Sequence, residues 1–133
     1  MKMALIAAAF AIIAVLAASG CTSTGNGGDN ETLILSDGMV IPQDVCEAKG
    51  IEGSVLVFHS PGCPSCVQTV PILEAIEGET GKDIEFLDVT STQDRQAIEK
   101  LGMMPDYIPA VVIKCKVYVG YRGKEEVLAL MGN

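Results

Sequence analysis

The apolar residues of this chain follow two alternating patterns. Residues 54–59 form a short run rich in β-branched and aromatic side chains, which predicts a strand buried on both faces. Between residues 67 and 76 the apolar positions recur every three or four residues, which predicts a helix that begins at Pro64 and ends near Gly78. Similar patterns predict strands at residues 32–36, 84–89, 110–114 and 117–120, and helices at residues 39–49, 91–101 and 124–131.

The predicted order is therefore β-α-β-α-β-α-β-β-α. Strands that alternate with helices favour a mostly parallel sheet with helices on both faces, and the final hairpin adds an antiparallel edge. The fold class that follows is α/β, with a mixed central sheet. With 133 residues, the chain suffices for one compact domain, which we place at residues 32–133.

The first twenty residues differ in kind from the rest. Lys2 precedes an unbroken apolar run at residues 3–18, and small residues follow it, as in a secretory signal peptide. The run is shorter than the roughly 20 residues that a membrane-spanning helix needs. We therefore predict a signal peptide at residues 1–20, and a retained, tilted membrane anchor is the alternative.

The end of this segment, Ala-Ala-Ser-Gly-Cys at residues 17–21, resembles a lipobox. The resemblance implies cleavage before Cys21 and covalent attachment of lipid to this cysteine, which would hold the domain on a membrane surface. Residues 21–31 are polar and rich in glycine, which predicts a flexible tether. An ordinary signal peptide with a cysteine nearby by chance is the alternative.

Charge and cysteine content narrow the functional classes. The formal net charge is −8, and it becomes −9 if cleavage removes Lys2. An acidic chain is a poor partner for phosphate groups, so we expect no nucleic-acid binding. Of the five cysteines, Cys21 is assigned to lipid, and an oxidising compartment would permit disulfides among the other four, which are Cys46, Cys63, Cys66 and Cys115.

Cys63 and Cys66 form a Cys-Pro-Ser-Cys motif between a predicted strand and a predicted helix. Free N–H groups at the start of a helix favour a thiolate, so we assign Cys63 as nucleophile and Cys66 as resolving cysteine. The alternative is half of a zinc site. The only other Cys or His candidates in the domain are His59, Cys46 and Cys115, and none forms a second closely spaced pair, so we predict no metal site.

The motif and the residues after it resemble the thioredoxin family. Residues 66–74 are similar to the family's active-site helix, including Pro71, which lies five residues after the second cysteine. The Ile108-Pro109 step lies before the predicted hairpin, where the family keeps a cis-proline beside the disulfide. The resemblance implies a thioredoxin-like fold, a cis bond at Pro109, and a backbone at Ile108 against which an extended substrate docks.

Two positions depart from the family pattern. Gly62 stands where many members carry tryptophan, and Val57 stands where many thioredoxins carry a buried aspartate that moves protons. Proton transfer to Cys66 would then rely on water or on another group. His59 is the only histidine, and we favour a structural or solvent-edge role for it over tuning of the Cys63 pKa.

The thioredoxin-like topology also bears on the remaining cysteines. It places the bend at Cys115 near the start of the first central strand, away from Cys63, and Cys46 late in a helix that leads to the same end. A Cys46–Cys115 disulfide is therefore plausible. Two free thiols, or a second redox pair that relays electrons, are the alternatives.

These features predict an extracytoplasmic, lipid-anchored thiol-disulfide oxidoreductase that uses no cofactor beyond its own cysteines. Its expected partners are exported cysteine-containing proteins and a membrane redox partner. The alternatives are a non-enzymatic carrier that binds thiols or metal through the same cysteines, and a redox-inert adaptor.

Overall fold

The structure, a computed structural model, describes residues 31–132. The predicted signal peptide, Cys21 and all but the last residue of the predicted tether lie outside the described residues. Within them, the elements in chain order are β1 (Leu33–Leu35), α1 (Gln43–Ala48), β2 (Val55–His59), α2 (Pro64–Thr80), β3 (Ile84–Asp88), α3 (Thr92–Leu101), β4 (Met103–Pro105), β5 (Ala110–Ile113), β6 (Lys116–Val119) and α4 (Lys124–Leu130).

The main sheet has the strand order β3-β2-β5-β6. β2 lies in its interior and pairs parallel with β3 but antiparallel with β5, and β5 pairs antiparallel with β6. The prediction of a mixed sheet is confirmed, although the sheet is less parallel than the alternation of elements indicated. β1 pairs parallel with β4 as a separate two-stranded sheet.

Alternate side chains of β2 point to opposite faces of the sheet and enter two different cores. Leu56 and Phe58 pack with residues of α1 and α3 on one face. Val55 and Val57 pack with residues of α2 and α4 on the other. All four of these side chains are buried, which explains why they are apolar. His59, the last residue of β2, is the first polar residue of the strand. Helices therefore cover both faces, as the sequence indicated.

Two helix boundaries differ from the predictions. α1 begins at Gln43 rather than near residue 39, because Val40 forms an antiparallel bridge with Lys116 and Pro42 keeps an extended backbone. α2 continues past Gly78 to Thr80, and the chain leaves the helix at Gly81, whose φ is 68°. Glycine adopts such a left-handed conformation without a steric penalty, which explains why the helix ends there.

The described residues also bear on membrane insertion. No helix in residues 31–132 is both long enough and apolar enough to span a bilayer.

Candidate active site

A tight turn after β2 positions the first cysteine of the motif. The backbone N–H of Cys63 donates to the carbonyl of Ser60 at 3.2 Å, and the N–H of Gly62 donates to the Ser60 hydroxyl at 3.2 Å. Ser60 is buried, and its carbonyl and hydroxyl oxygens accept the two hydrogen bonds that hold the turn. Cys63 is then the N-cap of α2, and Pro64 begins the helix at the position where a missing N–H is not needed.

Cys63 and Cys66 are joined in a disulfide, with their Cα atoms 5.1 Å apart. Their exposure differs, since Cys63 is half-buried whereas Cys66 is only 1% exposed. The N–H of Cys66 also points at the sulfur of Cys63, with 3.2 Å between N and Sγ. When the pair is reduced, an N–H in this place and the N-terminus of α2 stabilise negative charge on the Cys63 sulfur.

The Ile108-Pro109 step lies beside this sulfur. The peptide bond between the two residues is cis, and the carbonyl oxygen of Ile108 is 3.7 Å from the Sγ of Cys63. The structure thus brings Cys63, Cys66, Ile108 and Pro109 together at one end of the sheet. Tyr107, the residue before Ile108, is 73% exposed.

A shallow cleft of about 280 Å³ opens next to Cys66. His59 and Asp88 both border it. They are the last residues of the parallel strands β2 and β3 and are paired in register. The His59 ring meets the edge of Phe86, with 6.2 Å between ring centroids.

Asp88, unlike His59, was not among the residues singled out by the sequence. Its place beside His59 follows from the parallel pairing of β2 with β3, because the carboxyl ends of neighbouring parallel strands meet at the same edge of a sheet. The Thr90 hydroxyl and the Thr90 N–H donate to Asp88 at 2.6 and 2.8 Å. The hydroxyl bond is the larger cause, and together with the positive charge of His59 these bonds hold the pKa of the Asp88 carboxyl below its ordinary value of 3.8.

Cys46 and Cys115 form a second disulfide, with 6.1 Å between their Cα atoms. It lies at the opposite end of β2, because Ile113, just before Cys115, pairs with Val55 at the start of that strand. Both residues belong to the larger hydrophobic core. The structure therefore does not bring this pair near Cys63.

Within residues 31–132, no group of three or more His, Cys, Asp or Glu side chains lies close enough together to hold a metal ion.

Comparison with known proteins gives related sequences in two groups. A probable thioredoxin of Methanothermobacter marburgensis is 30% identical over 78 residues, which cover 58% of this chain and 89% of that protein. Glutaredoxin-1 of Rattus norvegicus is 37% identical over 57 residues, which cover 43% of this chain and 52% of the glutaredoxin. No family model matches the chain.

Among solved structures, thioredoxin 1 of Thermosipho africanus aligns with 59% of this chain and 89% of its own, at 22% identity and a TM-score of 0.44. The sequence relationship to the archaeal thioredoxin is the informative one, because it extends over nearly all of that protein. It agrees with the mixed sheet, the helices on both faces and the Cys63–Cys66 pair at the start of α2. The chain belongs to the thioredoxin family and is a thiol-disulfide oxidoreductase with a thioredoxin-like fold.

Proposed function

We propose that Cys63 attacks the disulfide of a protein substrate and that Cys66 resolves the mixed disulfide. The unequal exposure of the two cysteine residues carries this assignment. Cys63 is half-buried at the N-terminus of α2 and accessible to a partner, whereas Cys66 is only 1% exposed. The N–H of Cys66, 3.2 Å from the Cys63 sulfur, favours the thiolate at Cys63.

The exchange balances without a cofactor. The Cys63 thiolate forms a bond to one sulfur of the substrate, and the other substrate sulfur leaves as a thiolate. Cys66 loses its proton, attacks Cys63 and expels the first substrate sulfur. The substrate gains two electrons, and the protein returns to the Cys63–Cys66 disulfide. The reverse sequence oxidises a substrate dithiol.

Ile108 and Pro109 provide the substrate-docking surface in this proposal. The Ile108 carbonyl is 3.7 Å from the Cys63 sulfur, so a peptide that lies along this backbone holds its own cysteine within reach of Cys63. Two large apolar or aromatic side chains close to these residues in sequence are exposed, Tyr107 before Ile108 and Val67 after Cys66. An extended segment of a cysteine-containing protein fits these features better than a small thiol does.

The proposed location is the extracytoplasmic face of a cell membrane or envelope, with lipid on Cys21. The lipobox-like residues 17–21 support it. The Cys46–Cys115 disulfide supports it independently, because buried structural disulfides persist mainly in oxidising compartments. The partners are then exported cysteine-containing proteins and a membrane redox partner that restores the active pair.

Trapping tests the exchange. Cys66→Ser leaves Cys63 without its resolving partner, so the protein should accumulate as a mixed disulfide with substrate, and mass spectrometry should locate the bond at Cys63. Cys63→Ser is the matched control and should trap nothing. Adducts of equal yield on the two variants would contradict the assignment.

Expression of the full chain with Cys21→Ser tests the location. The unaltered chain should fractionate with membranes and begin at a lipid-modified Cys21 when analysed by mass spectrometry, whereas the variant should lose the modification. A membrane-impermeant maleimide should label reduced Cys63 in intact cells. Labelling only after lysis would contradict an extracytoplasmic site.

A further inference from the structure

The resolving step needs a group that accepts the Cys66 proton. Cys66 is 1% exposed, and burial in apolar surroundings disfavours the thiolate. The position that holds a carboxylate in many thioredoxins is Val57, which is fully buried in the core between the sheet, α2 and α4. The chain therefore lacks the family's usual acid at the place where the reaction would use it.

The cleft beside Cys66 offers another group. Three ionisable side chains border it, one from each surrounding element: His59 from β2, Cys66 from α2 and Asp88 from β3. Cys63 does not line it. The remaining lining residues are the buried Ser60 and the apolar Pro61, Val67, Val70 and Pro71.

We propose that His59 transfers the proton of Cys66, and that Asp88 positions the imidazole for this step. The proposal rests on the resolving role of Cys66 proposed above. Imidazole suits the task because histidine gains and loses a proton near neutral pH. A cleft of about 280 Å³ also has room for a water molecule between the two groups if they do not touch.

The step balances in both directions. When the protein reduces a substrate, the Cys66 S–H bond breaks and its proton goes to the unprotonated nitrogen of His59, directly or through one water. The Cys66 thiolate forms the bond to Cys63, and the substrate sulfur leaves with the electron pair. When the protein oxidises a substrate, the Cys66 sulfur leaves as a thiolate and regains its proton from the imidazolium.

Hydrogen bonds fix both the side chain and the backbone of Asp88. The Thr90 hydroxyl and N–H bind its carboxylate from one side. A carboxylate oxygen of Asp94, on α3, accepts from the Asp88 N–H at 2.9 Å and fixes the backbone at the end of β3. The Asp88 carboxylate is therefore fixed at the edge of the cleft, beside the strand position of His59 with which it is paired in register.

Single-turnover exchange with an aromatic disulfide separates the two cysteines. One equivalent of dithionitrobenzoate, mixed with the reduced protein, should release one coloured thiolate as Cys63 attacks and a second as Cys66 resolves the adduct. We expect His59→Gln to slow only the second release, by about 100-fold near pH 7. The pH dependence of that release, between about pH 6 and 7 where histidine ordinarily titrates, should vanish with the imidazole.

Rescue by added imidazole distinguishes a proton-transfer role of His59 from a purely structural one. In His59→Ala, added imidazole should restore the second release, which a merely structural histidine would not allow. Asp88→Asn should slow it about fivefold, and Asp83→Asn, an exposed aspartate just before the other end of β3, is its matched control and should change it less than twofold. The comparison of Asp88→Asn with Asp83→Asn still tests the proposal if the His59 variants do not fold.

The outcomes separate the two proposals. Equal slowing of both releases, or an unchanged second release in His59→Gln, would overturn the role of His59. Equal rates in the two aspartate variants would overturn the positioning role of Asp88. If the unaltered protein released no second thiolate, the resolving role of Cys66 would fail first.

Discussion

The two disulfides lie at opposite ends of the same strand, β2, and they differ in almost everything except the bond. Cys63 and Cys66 are separated by 3 positions in sequence and sit at the start of a helix. Cys46 and Cys115 are separated by 69 positions and connect α1 to the turn between β5 and β6. Surroundings, rather than bond type, therefore determine which pair exchanges with other proteins.

Access and electrostatics account for this difference. Cys63 is half-buried, and its sulfur faces an N–H of α2, so a thiolate there is both reachable and stabilised. Cys46 and Cys115 are 0% and 5% exposed within the larger core, where a thiolate would be desolvated. The second pair is thus suited to hold the fold together and poorly suited to react.

The conformation of the turn that contains Cys115 explains what the Cys46–Cys115 disulfide contributes to the fold. Lys114 and Cys115 have φ values of 50° and 64°, in a two-residue hairpin turn that ordinarily favours asparagine and glycine. The disulfide and the hydrogen bond from the Ile41 N–H to the Cys115 carbonyl, at 2.7 Å, hold the backbone in this conformation. Tertiary contacts therefore compensate for an unfavourable turn sequence.

The largest expected effect is loss of turnover when the accessible sulfur is removed. Cys63→Ser should lower the rate of substrate disulfide reduction by at least about 1000-fold, because the nucleophile itself is missing. The matched control, Cys46→Ser with Cys115→Ser, should keep turnover within about twofold, measured at a temperature where it remains folded. A comparable loss in the control would mean that the second pair relays electrons.

The two disulfides should rank in the opposite order in their effect on the free energy of unfolding. Loss of Cys46 and Cys115 releases a long loop and should lower the free energy of unfolding by about 4 kcal/mol, whereas Cys63→Ser with Cys66→Ser releases a short one and should lower it by about 2 kcal/mol. Urea unfolding of the oxidised proteins measures both changes. Equal losses would refute the structural role assigned to the buried pair.

The third comparison uses two exposed valines, one near each disulfide. Val67 is 59% exposed beside Cys66, and Val40 is 66% exposed beside β6. Val67→Ser should lower kcat/KM for a disulfide-bonded protein substrate about fivefold, because about 1 kcal/mol of apolar contact is lost on docking. Val40→Ser should leave it unchanged. If Val67→Ser slowed a small aromatic disulfide equally, its effect would not lie in docking.

The ends of the sheet also show what the sequence could predict. β2, α3 and the helix start at Pro64 follow from local signals, since an apolar run, a serine N-cap and a proline are each visible in the chain. β4 was missed because Met103–Pro105 is only three residues long and includes a proline. Its strand character comes from its partner β1, which no local pattern reveals.

The candidate site divides in the same way. Cys63 and Cys66 are evident from their spacing and their position between β2 and α2, and Ile108-Pro109 from its resemblance to the family. Asp88 and the cleft beside Cys66 depend on the register between β2 and β3, which places the last residues of two strands side by side. Register is a property of the assembled sheet, so the local sequence did not disclose it.

The smallest expected effect concerns Asp88 and acid stability. The hydrogen bond from the Thr90 hydroxyl lowers the pKa of Asp88 below 3.8 in the folded protein. A carboxyl with a lowered folded pKa contributes stability above its unfolded pKa, and this contribution disappears as the pH falls through the folded value. Asp88→Asn should therefore be less stable than the unaltered protein at pH 6, and the difference should shrink below about pH 4.

Urea midpoints at pH 6 and pH 3 measure this difference. Asp83→Asn again serves as the matched control, since Asp83 is exposed and lies just before the start of β3, whereas Asp88 ends it. For this control, the difference in urea midpoint from the unaltered protein should not shrink comparably between pH 6 and pH 3. Parallel behaviour of both variants would mean that Thr90 does not stabilise the Asp88 carboxylate, and the positioning role of Asp88 beside His59 would lose its structural basis.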